Sequence, residues 1–291
     1  MENAMRARTR KCLMLGLLFL FGVVPAAAQE RPLRTPDATI LPTGVTRVQI
    51  GFDFLQDVRF PLSGLRGDLT SVGVLQVRTG LGRIVEIQLE GEIQNFLSVA
   101  QQTPAVVTPE LTGPRSTHGV SDFRGFTKVR LLAENTHRPA LAFRFGFQMP
   151  TADQRRGIGT NTTNLFAELI LEKHFGKLKL FGDAGLGILE APAAQFSQND
   201  VLLYGLALAF PVHARVRVVG EVAGFWSARD TTGALVGTDS RAQGRFGLQV
   251  EAGGFSWDVA GVAGVYRNDP RTGFTFGVRK DIRLFGHRTK P

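Results

Sequence analysis

Acidic and basic side chains recur at alternate positions along apolar segments of this 291-residue chain, and the spacing limits the chemistry open to them. Glu86, Glu90 and Glu92 alternate with Ile87, Leu89 and Ile93. In an extended strand successive side chains point to opposite faces, so one face of such a segment is oily and the other wet. The same polar phase continues through Arg124, Lys128 and Arg130, then Arg144, Glu168 and Glu172, then Lys179 and Asp183. It ends with Arg215, Arg217 and Glu221, followed by Arg245, Glu251 and Asp258. Opposite charges on adjacent strands can pair across the ladder, which offsets their desolvation. A face of this kind either stiffens an interior as a salt-bridge network or lines a narrow conduit whose fixed charges select solutes by size and charge. Both readings stay open here, because pore radius depends on strand shear and side-chain conformation.

Covalent chemistry finds few candidates. Ser116-Thr117-His118 sets a hydroxyl two residues from an imidazole in a segment read as a loop, which is what a lipid-modifying barrel enzyme would need near its outer rim. An isolated pair in a loop is read as solvated. His137, His174 and His213 fall in tight connections, and His287 in the C-terminal tail. No His-Glu-x-x-His motif and no His/carboxylate group at metal-ligand spacing occurs, so no metal and no cofactor is expected. Gly157-Ile158-Gly159 lacks the strand-to-helix context and the lysine of a phosphate loop. The chain is read as non-enzymatic.

The elements that carry the polar face are strands. Alternation defines about twelve of them: 45–54, 69–79, 83–96, 122–132, 139–149, 163–174, 177–189, 201–211, 214–226, 243–253, 255–265 and 272–282. Many exceed the ~5–6 residues of a soluble strand and match the ~9–11 that a tilted membrane strand needs. Segment 201–211 is apolar on both faces, which leaves its phase open. The connections alternate long (55–68, 97–121, 150–162, 190–200, 227–242, 266–271) and short (around 80–82, 133–138, 175–176, 212–213, 253–254). An all-β, up-and-down antiparallel transmembrane β-barrel with both termini in the periplasm requires that asymmetry; a soluble sandwich has no reason to sort its loops by length. Trp226, Tyr266, Phe54 and Phe147 fall near one set of strand ends, and Phe175, Phe210, Phe255 and Trp257 near the other, as interfacial girdles do.

The N-terminus reads as an export signal. Arg6, Arg8, Arg10 and Lys11 precede an apolar run from Cys12 to Val24, and Pro25-Ala26-Ala27-Ala28 supplies a small-residue cleavage site after Ala28. Cleavage removes the single cysteine, and with it any disulfide or thiolate chemistry. It also removes four basic residues and one acid, lowering the formal charge from +9 to +6. That excess is spread along the chain without interleaved aromatics, and export excludes cytosolic nucleic acid as a partner. Residues 29–44 are expected to form a periplasmic segment, 45–285 the barrel and 286–291 a tail. The expected location is the bacterial outer membrane, with membrane lipids, the barrel assembly machinery and a small-molecule solute as partners. The sequence carries no signal of oligomeric state.

Residues 119–189 resemble the phenol meta-cleavage-pathway family of outer-membrane transporters. The likeness rests on Gly119-Val120-Ser121-Asp122 entering a strand and Arg138-Pro139-Ala140-Leu141-Ala142 starting the next. Met149-Pro150-Thr151-Ala152-Asp153, Gly157-Ile158-Gly159-Thr160-Asn161-Thr162-Thr163-Asn164 and the strand pair Leu165–Ile188 complete it. Ala152 and Asn164 depart from the glycine and aspartate usual in the family, and Gly286 to Pro291 stand where it usually ends in an aromatic residue. Physically, Pro150 ends a strand and Thr151 to Asp153 begin a loop, so this motif is read as turn-forming rather than ligand-binding. The resemblance implies a passive channel for small, aromatic or hydrophobic solutes. A non-conducting structural or surface-binding barrel, or a lipid-modifying barrel enzyme, are the alternatives.

Overall fold

The computed structural model describes residues 32–194, 197–231 and 235–285. The expected export signal, 1–28, and the expected C-terminal tail, 286–291, lie outside the described residues.

Thirteen strands form one antiparallel sheet: β1 (Val45–Phe60), β2 (Leu65–Gly80), β3 (Val85–Gln102), β4 (Ser116–Gly119), β5 (Arg124–Leu132), β6 (Ala140–Gln148), β7 (Leu165–Phe175), β8 (Leu178–Glu190), β9 (Gln198–His213), β10 (Val216–Ser227), β11 (Arg241–Ala252), β12 (Phe255–Gly264) and β13 (Thr272–Arg283). Apart from β4, successive strands pair in chain order, and β1 pairs with β13, so the sheet closes on itself. The short β4 and β5 share one place in the ring. β4 pairs with Asn95–Ser98 of β3, and β5 with Val85–Glu90 lower on the same strand. The result is a closed twelve-stranded barrel. Closure leaves no unpaired edge, which lipid cannot hydrate.

Ten of the twelve expected strands agree with these within about four residues at each end, the first and third being the exceptions. The first departs more, because β1 and β2 both run beyond the expected ends and leave only residues 61–64 between them. The long first loop expected at 55–68 is therefore mostly strand, with ladder irregularities at Gly51/Phe52 and Leu55/Val58 that bend the hairpin. Likewise, expected loop 97–121 holds the end of β3 and all of β4. The remaining connections at this end are longer than the two-residue turns after β7, β9 and β11.

Alternation assigns the faces. Leu165, Leu169 and Leu171 of β7 and Phe274 and Phe276 of β13 are exposed on the outside. The phase left open in β9 resolves in the same way: Leu202, Leu206, Leu208 and Phe210 point out, while Val201, Ala207 and Ala209 are buried inside. Small inward residues leave room for chain within the barrel. At the tight-turn end Trp257 packs beside Phe255 and Phe276, each pair with ring centroids 6.1 Å apart, giving a local aromatic girdle. Leu206, opposite Gly182 and Val222, lies mid-strand and is 68% exposed. In a bilayer, Leu206→Arg should lower the folding free energy by about 2–4 kcal/mol, the cost of a cation at the lipid midplane. Urea titration in lipid vesicles would read this, and an unchanged midpoint would mean that β9 does not face lipid there.

Candidate functional site

The inward face is a network of ion pairs joining adjacent strands. Glu86 pairs with Arg78 of β2 at 2.8 Å and with Lys128 of β5 at 3.3 Å. Arg144 of β6 reaches Glu90 at 3.2 Å and Glu168 at 3.8 Å, with its guanidinium 3.6 Å from the centroid of the Phe126 ring. Lys179 pairs with Glu172 at 3.1 Å, Arg245 with Glu221 at 3.8 Å, and Glu251 with both Arg217 and Arg279 at 3.1 and 2.9 Å. Glu92 accepts a hydrogen bond from Asn95, and Arg124 donates to Gln148. Asp183 and Asp258 stand on the same face, Asp183 with no ion-pair partner among the described residues. Two expected members sit at the tight-turn end instead. Arg215 lies exposed in the turn between β9 and β10, and Arg130 donates to the carbonyl of Arg83. Strands β1, β2 and β13 add Arg47, Asp53, Arg78 and Asp281, which the expected set omits. Their signal was the polar phase opposite Val48, Ile50, Phe52 and Phe54.

Residues 32–42, part of the segment 29–44 expected in the periplasm, run along the inner face of the barrel. Asp37 is fully buried and pairs with Arg78, Lys128 and Lys179, each at 3.3 Å. Lys128 also donates to the carbonyls of Asp37 and Thr39, at 3.1 and 2.6 Å. Glu221 accepts from the backbone N–H groups of Arg34 and Thr35 and from the Thr35 hydroxyl. Glu172 accepts from the N–H of Ala38 and Glu86 from that of Leu41, while Arg245 donates to the carbonyl of Pro32. The lumen carboxylates thus satisfy backbone donors that no ladder could reach. Between these bonds Leu33 packs with Phe181, Ala207, Ala209 and Val219, and Ala38 with Ala140, Ala142 and Ile170. β10 and β5 lie on opposite sides of the ring, so residues 32–42 cross the lumen from wall to wall. They then pass so close to Gly80 that a Cβ there would collide with the carbonyls of Leu41 and Pro42.

At the long-loop end two connections pack on a hairpin. Residues 103–115 and 149–164 fold over the tip of the β1–β2 hairpin. Val107 N–H donates to Leu62 O, Ser63 Oγ to Gly157 O, and Glu110 N–H to Arg155 O. Leu65, Leu97 and Val99 form an apolar cluster there with Leu111 and Ile158. Asp122 organises the second loop: its carboxylate accepts from the N–H groups of Thr151, Ala152 and Asn161 and from the Thr160 hydroxyl. The motif around Met149–Asn164 is therefore built to hold a turn, with Asn161 in the left-handed region at φ 54°.

The catalytic and metal candidates have different surroundings. His118 pairs with Gln94 through Nδ1 at 3.1 Å and packs on Phe96 on the outer face. The fold brings together one His/carboxylate group that no local spacing announced: Glu134, Glu172 and His174, with ligand atoms within 4.8 Å of one another. Its carboxylates already face ammonium groups, Lys173 at 3.3 Å from Glu134 and Lys179 at 3.1 Å from Glu172. In the turn after β5, burial raises the Glu134 carboxyl, but the N–H and ring of His174 and the Lys173 ammonium prevail and hold it at about 2. A depressed acid contributes its stability above the unfolded value of about 4.3 and loses it as pH falls through the folded one. Turn 133–139 should therefore stay docked at pH 4 and release only near pH 2. Carboxyl NMR titration of Glu134 checks this, and a midpoint at the ordinary glutamate value would refute it.

No family model and no curated protein matches this chain. Among solved structures, the COG4313 outer membrane channel from Pseudomonas putida F1 is similar at 16% identity and a TM-score of 0.57, over 87% of this chain and 100% of that one. The NanC porin (9% identity, TM-score 0.45, 80% and 97% covered) and the outer membrane channel DcaP of Acinetobacter baumannii (9%, 0.42, 84% and 100%) are more distant. The fold is that of an outer-membrane β-barrel.

Proposed function

We propose that this protein is a passive outer-membrane channel for small solutes, held closed by its own N-terminal segment. The observation that carries the reading is the wall-to-wall crossing of residues 32–42 on a polar, ion-paired lumen. A purely structural barrel can fill its interior with wall side chains. Here a separate strip of chain occupies it, joined through side chains and through single N–H groups rather than a ladder, so it can leave without unzipping the wall. The oily exterior supports a bilayer location, with the long-loop end outward if both termini are periplasmic. Small aromatic or hydrophobic compounds are the solutes suggested by the family resemblance. Refolded mature protein should give small unitary currents in planar bilayers and solute flux in liposomes. No current and no flux would defeat the channel reading and leave a surface or structural role.

A further inference from the structure

At the long-loop end the tip of the β1–β2 hairpin, the end of β3 and the connections after β10 and β12 enclose a recess of about 650 Å³, separate from the N-terminal segment. Its lining holds three arginines, Arg59, Arg66 and Arg267, against a single acid, Asp239. Their charges are not equally available. Arg66 is committed to Asp57, with Nη2 2.8 Å from Oδ2. Asp239 accepts from the N–H of Gly237 at 3.2 Å. Neighbouring Arg241 donates to the carbonyls of Asn268 and Arg59, tying the walls of the recess together. Arg59 and Arg267 have no side-chain hydrogen bond or ion pair among the described residues. Phe60 and Tyr266 line the same space and give it apolar surface.

We propose that this recess binds small organic carboxylates, with the carboxylate on Arg59 and Arg267 and the organic body against Phe60 and Tyr266. Guanidinium groups match carboxylates in geometry, and a concave wall concentrates their field on an incoming anion. Phe60 also packs on the apolar cluster of Leu65, Leu97 and Val99, so a bound solute would sit beside that cluster. This assignment rests on the channel reading for its meaning, as the first docking point of a solute, but not for its test.

Benzoate is the probe, titrated by calorimetry into the refolded mature protein in detergent, with benzyl alcohol and inorganic phosphate as comparisons. Saturable benzoate binding is expected, at least tenfold weaker in Arg59→Gln/Arg267→Gln and weaker in high salt. Neither arginine makes a side-chain hydrogen bond or ion pair among the described residues, so the variant should keep the heat resistance of the folded barrel. Asn268→Trp, which fills the recess without touching its charge, should also abolish binding. Undiminished binding in both variants, equal binding of benzyl alcohol, or complete displacement of benzoate by equimolar phosphate would each overturn the proposal. Binding without flux in liposomes would defeat the channel and leave the recess standing; flux without saturable binding would do the reverse.

Discussion

Deleting residues 32–42 should raise the unitary conductance of the barrel several-fold while leaving its heat resistance intact. The argument is geometric. The segment touches β2, β3, β5, β7, β8, β10 and β11, so at its level little of the lumen's circumference is free of it. None of its bonds belongs to the ladder that closes the ring. Once it is gone, Lys128, Arg78, Glu172 and Glu221 meet water, which solvates them as it does any pore lining. The converse variant keeps the test sharp. Ala38→Cys with Ala142→Cys joins two residues of one buried cluster in a chain whose one native cysteine, Cys12, falls in the expected export signal. Oxidation should abolish the open-state current and reductant should restore it. Equal conductance in the deleted, oxidised and reduced proteins would show that solute does not pass where the segment lies.

Asp37→Ala should be the most damaging single substitution in the lumen. It strips one carboxylate from three cations at once, two of which, Arg78 and Lys128, are almost wholly buried and share the Glu86 carboxylate. Breaking a buried ion pair from one side costs about 3–5 kcal/mol, because the remaining charge keeps its desolvation without its partner. The protein can limit that loss by releasing the segment and admitting water. The variant should therefore show either a lower urea midpoint or an intact midpoint with easy proteolysis within residues 32–42. Asp37→Ala/Lys128→Met removes both charges and should recover part of the loss. Wild-type stability together with wild-type protection of the segment would mean that the cluster does not anchor it.

How much of this was legible beforehand follows from which interactions are local. A period of two is a property of neighbouring residues, so the sequence by itself located most of the strands and, outside 201–211, which of their residues share a face. It determined less at strand ends. β1 and β2 run on past Phe54 through irregularities, and no alternation marks where a bulged hairpin stops. Arg215 was placed on the lumen because it is in phase with Arg217, but it lies one residue before β10 begins. Only the tertiary structure decided where residues 32–42 go. That stretch has no period, and its partners are remote: Arg34 meets Glu221 187 positions later, and Asp37 meets Lys128 and Lys179, 91 and 142 positions later. The Glu134, Glu172 and His174 group and the arginine-lined recess arise in the same way, from connections brought side by side at the two ends of the barrel. Local alternation sets which side of a wall a residue faces; closure of the ring sets what it faces across the lumen.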